Sequence, residues 1–261
     1  MPFANNQGVR IHYEVEGKGP PLVLLHGLGG SLEVWYDSGY EKPLKNDYQL
    51  ILIDVRGHGA SDKPHDPKSY KLELLVSDVV AVLDDLNINN AHFLGYSMGG
   101  WIGFGIAKYA PERFKSLIIG GMDPYEADQD KPNYFLQVYK KGMEATLAMT
   151  EEMFGPRMTP KLKAQFKAND LEALIALVSS RDRRLSLEDV LPTMTMPCML
   201  FAGEADSSYS TARKCVESMP NATFISLPSL DHVETFYRSD LVLPHITRFL
   251  MSVDNSFSWS R

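Results

Sequence analysis

Cysteine is nearly absent from this chain: Cys198 and Cys215 are the only two, and they do not form a metal-binding or redox spacing. One lies in an apolar run and the other in a helical stretch, which suits two reduced structural thiols better than a disulfide. No His, Cys or carboxylate cluster has metal-ligand spacing, so neither a metal nor another cofactor is expected. Long apolar runs are also missing, and nothing approaches the roughly 18 residues of a membrane span. Positive charge is in deficit, with 26 Lys and Arg against 33 Asp and Glu for a net charge of −7. That balance argues against a nucleic-acid partner. Met1 to Gly8 lack a positive segment leading into an apolar one, which makes cytoplasm the expected location. Internal repeats and low-complexity segments are absent too.

What the 261 residues do contain is a regular alternation. Val9 to Val15 alternates as an antiparallel strand does. Pro21–Leu25 and Leu50–Ile53 are short continuous apolar runs, the pattern of strands covered on both faces. Ala91–Tyr96, Ser116–Ile119, Met199–Ala202 and Thr223–Leu227 repeat it. Between them Leu72, Leu75, Val76, Val79, Leu83 and Leu86 fall on one helical face. Strands alternating with such helices predict an α/β fold, a largely parallel sheet with helices on both sides. A ligand site then belongs beyond the carboxyl ends of the strands.

Residues 124–185 break the alternation. Phe135, Val138, Tyr139 and Met143 share a helical face, as do Leu171, Leu174, Ile175 and Val178, and no buried-strand run interrupts them. The segment reads as a helical cap (lid) inserted between a first core part, 1–123, and a second, 186–261, whose last residues from Ser252 read as a loose tail.

The most informative stretch is Gly95-Tyr96-Ser97-Met98-Gly99. It matches G-x-S-x-G directly after a strand and directly before a helix, the context in which such a serine sits on a tight turn. A serine hydroxyl is a weak nucleophile at neutral pH and needs a base, and the base needs an orienting acid. After Ser97 only His232 and His245 remain. His232 follows the strand Thr223–Leu227 on a loop, whereas His245 lies after Pro244 in a terminal helical stretch and reads as a packing or surface residue. Asp206 follows the strand Met199–Ala202 and is the favoured acid; Asp123, at the end of the preceding strand, competes with it, and Glu204 is a weaker candidate. An oxyanion needs two N–H donors: Met98, next after the serine, and Leu28, in the glycine-rich loop Gly27–Gly30. His26 beside it reads as a residue holding that loop.

Together, Leu24–Gly30, Asp54–Asp62, Gly95–Gly100, Gly203–Asp206 and Asp231-His232 resemble the α/β-hydrolase superfamily, in particular its serine-nucleophile carboxylesterase, enol-lactonase and perhydrolase group, from about Gly8 to Leu250. The resemblance implies an eight-stranded sheet, a cap after strand six and no cofactor, and it makes Asp54–Ser61 a structural loop. In relatives that open epoxides or displace halide the elbow carries aspartate, so Ser97 speaks for ester, lactone, thioester, peracid or C–C bond chemistry. Two departures stand out. Asp231 replaces the usual glycine before the histidine, and Glu234 replaces a small or apolar residue after it, so both place negative charge near His232.

The expected partner is a small-molecule ester or lactone. Leu28, Phe135, Tyr139 and Met143 are the candidate substrate-binding residues, with Met149 and Met153 as further flexible apolar groups. Arg181, Asp182, Arg183 and Arg184 could clamp an anionic lactone such as 3-oxoadipate enol-lactone, or could form a solvated surface. The surface reading puts a simple carboxylesterase first and an enol-lactonase second. A receptor-like relative with slow turnover is a third reading. Oligomeric state is left open.

Overall fold

The apolar runs assemble into one sheet. The computed structural model describes residues 1–125, 133–180 and 186–258. Its strands are β1 (Phe3–Asn6), β2 (Val9–Glu16), β3 (Pro21–Leu25), β4 (Gln49–Ile53), β5 (Ala91–Tyr96), β6 (Phe114–Gly120), β7 (Cys198–Gly203) and β8 (Ala222–Leu227). They form an eight-stranded sheet in the order β1-β2-β4-β3-β5-β6-β7-β8. The pairs β1–β2 and β2–β4 are antiparallel and the others parallel. β1 precedes the strand expected from the sequence to begin the sheet and pairs with it as a hairpin. It is created by a two-residue hairpin turn in which Gln7 (φ 52°) and Gly8 (φ 88°) both take left-handed backbone, the geometry that matches strand twist.

The helices are α1 (Glu33–Asp37), α2 (Glu41–Leu44), α3 (Leu72–Asp85), α4 (Met98–Tyr109), α5 (Tyr134–Tyr139), α6 (Met143–Phe154), α7 (Pro160–Lys167), α8 (Leu171–Ser179), α9 (Tyr209–Cys215), α10 (His232–Tyr237) and α11 (Ser239–Ser258). Alternate strand residues feed two layers, as a two-residue period requires. Val23, Leu25, Ile51 and Phe93 join the buried cluster that contains α3 and α4 residues. Leu22, Leu24, Leu50 and Leu94 join the one that contains α2 and α11 residues. Both faces of the central strands are thus dry. Cys198 and Cys215 are buried free thiols, and burial pushes each up to about 12, so both stay protonated at neutral pH.

Between β6 and β7 the chain leaves the sheet for α5–α8. Three of these helices start on side-chain caps: Asn133 accepts from Leu136 N–H, Thr159 from Leu162 N–H and Asp170 from Ala173 N–H, each satisfying an otherwise orphan donor. Val138, Tyr139, Met149, Leu174 and Leu177 bury into the same cluster as α3 and α4. The face predicted to run from Phe135 to Met143 is cut in two, because Gly142 takes φ 98° and the chain turns there, so Met143 opens a second helix. The segment from Ser252 is also not a loose tail as far as Ser258. It continues α11, with Ile246, Leu250 and Val253 buried on one face. The cluster Arg181–Arg184 and the last three residues lie outside the described residues. Among the described residues no helix is long and apolar enough to cross a membrane.

Candidate active site

Ser97 sits at the junction of β5 and α4 with φ 54° and ψ −115°, a conformation that costs a non-glycine residue about 1–3 kcal/mol. Its neighbours hold it there. The Ser97 N–H donates to Gly120 O at 2.8 Å and Ser97 O accepts from Trp101 N–H at 3.0 Å. The flanking glycines are steric necessities: a Cβ on Gly95 would lie 2.3 Å from Gly99 O, and one on Gly99 would lie 2.1 Å from Leu25 O. The side chain is half-buried and faces the cavity described below. Met98 begins α4, so its N–H has no acceptor within the helix and lies at the positive end of the helix dipole.

The loop after β3 is pinned by two buried imidazoles. His26 Nδ1–H donates to Gly27 O at 2.8 Å and its Nε2 accepts from Val55 N–H at 3.1 Å. His58 Nε2 accepts from Gly29 N–H at 3.1 Å while its Nδ1–H donates to Arg56 O at 3.2 Å. Burial lowers the pKa of His26 and brings that of His58 down to about 3, so both are neutral and can serve as donor and acceptor at once. Asp54 adds an acceptor for Leu32 N–H at 2.8 Å. His26 and the Asp54–Ser61 segment therefore shape the loop that presents Leu28, and Leu28 lines the cavity with Ser97.

His232 is the first residue of α10. Its Nδ1 lies 2.7 Å from Asp206 Oδ2, and an ionised carboxylate only accepts, so the ring proton sits on Nδ1 and Nε2 is left for the cavity. Ser208 N–H and Oγ–H both donate to Asp206 Oδ1 at 2.9 Å. Burial by itself pushes the Asp206 carboxyl up, but the hydrogen bonds from His232 and Ser208 and the adjacent imidazole outweigh it and hold it below the usual range. Tyr96 O–H donates to His232 O at 2.7 Å, tying the elbow to the histidine helix. Asp123 goes elsewhere. It accepts from Thr211 Oγ–H at 2.5 Å and from Tyr125 N–H at 3.0 Å. Glu204 accepts from Ser226 Oγ–H.

The two acidic departures have a structural use. Asp231 accepts from Glu234 N–H at 2.7 Å and Glu234 accepts from Asp231 N–H at 3.3 Å, a reciprocal capping box that starts the helix carrying His232. Glu234 also pairs with Arg157, which follows α6, at 2.6 Å.

Ser97, Asp206 and His232 all line one cavity of about 380 Å³. Among the candidate substrate-binding residues, Leu28 and Phe135 line it, as does Met153. Tyr139 and Met143 are not among the described residues that do. Tyr139 is buried behind the wall, against a smaller void, and Met143 opens α6 after the break at Gly142. The wall also contains residues that are not among the candidates from sequence: Phe154, Leu162 and Phe166 from α6 and α7, and Phe236 and Tyr237 from α10. Leu162 and Phe166 are one helical turn apart on α7, and Phe236-Tyr237 follow His232 by one turn, spacings that a search for apolar faces beside the histidine would have found.

Comparison with known proteins bears on the family and the fold. Epoxide hydrolase 4 of Mus musculus is 37% identical over 116 residues, which make up 44% of this chain and 32% of that protein. 3-Oxoadipate enol-lactonase 2 of Acinetobacter baylyi is 39% identical over 116 residues, 43% of this chain and 42% of that protein. The matched stretch is thus only about a third to two-fifths of these relatives' length. The enol-lactonase structure from Burkholderia xenovorans LB400 superposes with a TM-score of 0.85 at 23% identity, covering 96% of this chain and all of that one; at that identity the likeness shows the fold. The family model for the alpha/beta hydrolase fold matches residues 20–176, more than half of the 261, and the chain belongs to that family.

Proposed function

We propose that this protein is a serine hydrolase that cleaves a small, largely apolar carboxylic ester through an acyl-enzyme. Ser97 is the nucleophile, His232 the general base and acid, and Asp206 the residue that orients His232. Leu28 and Met98 supply the oxyanion N–H groups, and residues 124–185 act as a cap over the core formed by 1–123 and 186–261. The observation that carries this reading is the strained serine at a helix start facing the same cavity as a histidine whose other nitrogen is held by a buried carboxylate.

His232 Nε2 takes the Ser97 proton as Oγ attacks the ester carbonyl carbon. The carbonyl oxygen becomes an oxyanion held by the N–H groups of Leu28 and Met98, donors already oriented before the reaction begins. The intermediate collapses and His232 returns the proton to the departing alcohol. Water, deprotonated by the same nitrogen, then attacks the acyl carbon and releases the acid and Ser97. Asp206 stays ionised throughout and stabilises the imidazolium formed in each half.

Two observations bear on substrate. Opening an epoxide with a serine would leave an ether, which has no acyl carbon for water to attack, so the identity with an epoxide hydrolase does not carry that activity here. The described cavity wall is largely apolar, with Leu28, Phe135, Met153, Phe154, Leu162 and Phe166 among its residues, which suits an ester with an apolar arm; Arg181–Arg184 lie outside the described residues. The 39% identity to an enol-lactonase keeps lactone opening as the second reading, with the same residues in the same roles. Steady-state assay of the wild type and Ser97→Ala on p-nitrophenyl acetate, with folding checked by circular dichroism, tests the proposal. The variant is expected to lose on the order of a million-fold in kcat, and retention of more than a few per cent would refute it.

A further inference from the structure

We propose that Phe166 sets the length limit on the apolar arm of the substrate by walling the cavity at Ser97 off from a second recess beneath the cap. This inference rests on the ester-hydrolase reading for its substrate, but not for its geometry. Phe166 lies on α7 and is 9% exposed. It lines the cavity of about 380 Å³ at Ser97, a recess of about 230 Å³ and a void of about 40 Å³ behind Leu28. No other described residue lines all three. Leu162, one turn earlier, lines the first two.

The ring is held firmly enough to act as a partition. It packs against the Phe154 ring with centroids 5.3 Å apart. On the other side it closes on the oxyanion loop, where a Cβ built on Gly29 would come within 3.0 Å of it. Asn169 Nδ2–H, less than a turn further on, donates to Gly29 O at 2.8 Å and fixes α7 to the same loop. Beyond the partition the recess reaches the surface at Gly59 and Ala168, both exposed. A chain passing the ring would run out along Val34 and Leu162 towards solvent.

The volumes give the expected limits. At roughly 30 Å³ per water-sized group, the cavity at Ser97 accommodates on the order of a dozen non-hydrogen atoms, about the size of a p-nitrophenyl ester with a very short acyl chain. The recess would add on the order of seven more. Removing the ring joins the two spaces.

The test measures kcat/KM against chain length for the wild type, Phe166→Leu and Phe166→Ala. One series of p-nitrophenyl esters runs from acetate to dodecanoate, and one series of acetates runs over n-alkanols of the same lengths. By the volume above, wild type is expected to prefer the shortest acyl chains in the p-nitrophenyl series and alkyl arms of about eight carbons or fewer in the acetate series. Phe166→Ala is expected to move the optimum of at least one series by roughly four to seven carbons, with Phe166→Leu in between and able to carry the test if the alanine variant does not fold. A catalysis-free arm uses n-alkanol binding to Ser97→Ala with and without Phe166→Ala. Affinity should rise roughly fourfold per buried CH₂ until the wall is met, and the rise should extend to longer chains when the ring is gone. Longer reach in binding without any ester turnover would sink the hydrolase reading and keep the partition. Ester turnover with unchanged length profiles in a folded Phe166 variant would overturn the partition and leave the hydrolase reading standing.

Discussion

The floor of the cavity and its roof are built on different physical terms. The floor, with Ser97, Leu28 and the loop between them, is over-determined by backbone. Ser97 is strained, Gly99 has no room for a methyl group, and two neutral buried histidines bridge amides and carbonyls on either side of Leu28. The roof, from α5 to α8, is held by ordinary apolar packing and by exposed or half-exposed polar contacts such as Lys161 to Asp37 and Arg157 to Glu234. On the proposed reading, the chemistry would occupy the part of the molecule where few substitutions are tolerated, and shape selection the part where many are. That contrast implies steep mutational costs below the substrate and shallow ones above it.

The largest effect should come from the acid. Asp206→Asn keeps the shape but favours the wrong imidazole tautomer and should lower kcat by about four orders of magnitude. Asp123→Asn weakens the contacts to Thr211 and Tyr125 and should cost about tenfold or less. Turnover of the two variants on one good ester decides it, and a greater loss at Asp123 would move the acid to the earlier strand.

Next is Gly99→Ala. The added methyl would lie 2.1 Å from Leu25 O, a backbone atom that cannot step aside, and overpacking of this kind costs about 3 kcal/mol. Urea unfolding should show it, whereas Met153→Leu in the roof, a near volume-conserving change, should stay below about 1.5 kcal/mol. Equal costs at the two positions would erase the contrast.

A pH effect comes third. His58 has a pKa near 3 in the folded protein, against about 6.5 for an unfolded histidine. Between these values the unfolded chain binds the extra proton, so stability falls as pH drops from about 6.5 towards 3, by up to ~1.4 kcal/mol per pH unit from this group. Above about 6.5 the group contributes no slope. His58→Asn should flatten the urea-midpoint profile in that window, and an unchanged slope would mean that His58 is already charged in the folded state.

The smallest effect belongs to the Arg157–Glu234 pair, partly exposed on both sides. Arg157→Ala should change stability by less than about 1 kcal/mol. Glu234→Ala should cost more, because it also opens the capping box with Asp231 at the start of α10. The reverse order in thermal melts would assign α5–α8 a rigidity that these contacts do not explain.

The same contrast governs what could be read from residues alone. The elbow around Ser97, the glycine-rich loop at Leu28 and the order Ser97, Asp206, His232 are legible because backbone strain and close approach admit few residue types. The strands from Pro21 to Leu25 and from Ala91 to Tyr96 are legible because both faces are dry. The roof is not. A single glycine, Gly142, divides what reads as one helical face and puts Met143 on a second helix, and helical spacing carries no information on that turn. Phe154 and Phe166 look like any core aromatic in sequence; their place on the cavity wall follows from how α6 and α7 cross the loop at Gly29, a long-range relation. Likewise Asp231 and Glu234 read as stray charge near the histidine until the capping box is seen. The helical continuation from Ser252 to Ser258 was missed because its support is distant: Asp254 meets Tyr48 and His92 across the sheet.

The central claim is that Ser97 carries the acyl group. Acid-quenching the enzyme during turnover of a slowly hydrolysed p-nitrophenyl ester, followed by intact-mass and peptide mass spectrometry, tests it at the level of the bond formed. The account predicts a mass increase of one acyl group located on Ser97, absent from Ser97→Ala and persisting longer in Asp206→Asn. An acyl group on another residue, or undiminished turnover of the same ester by Ser97→Ala, would contradict it.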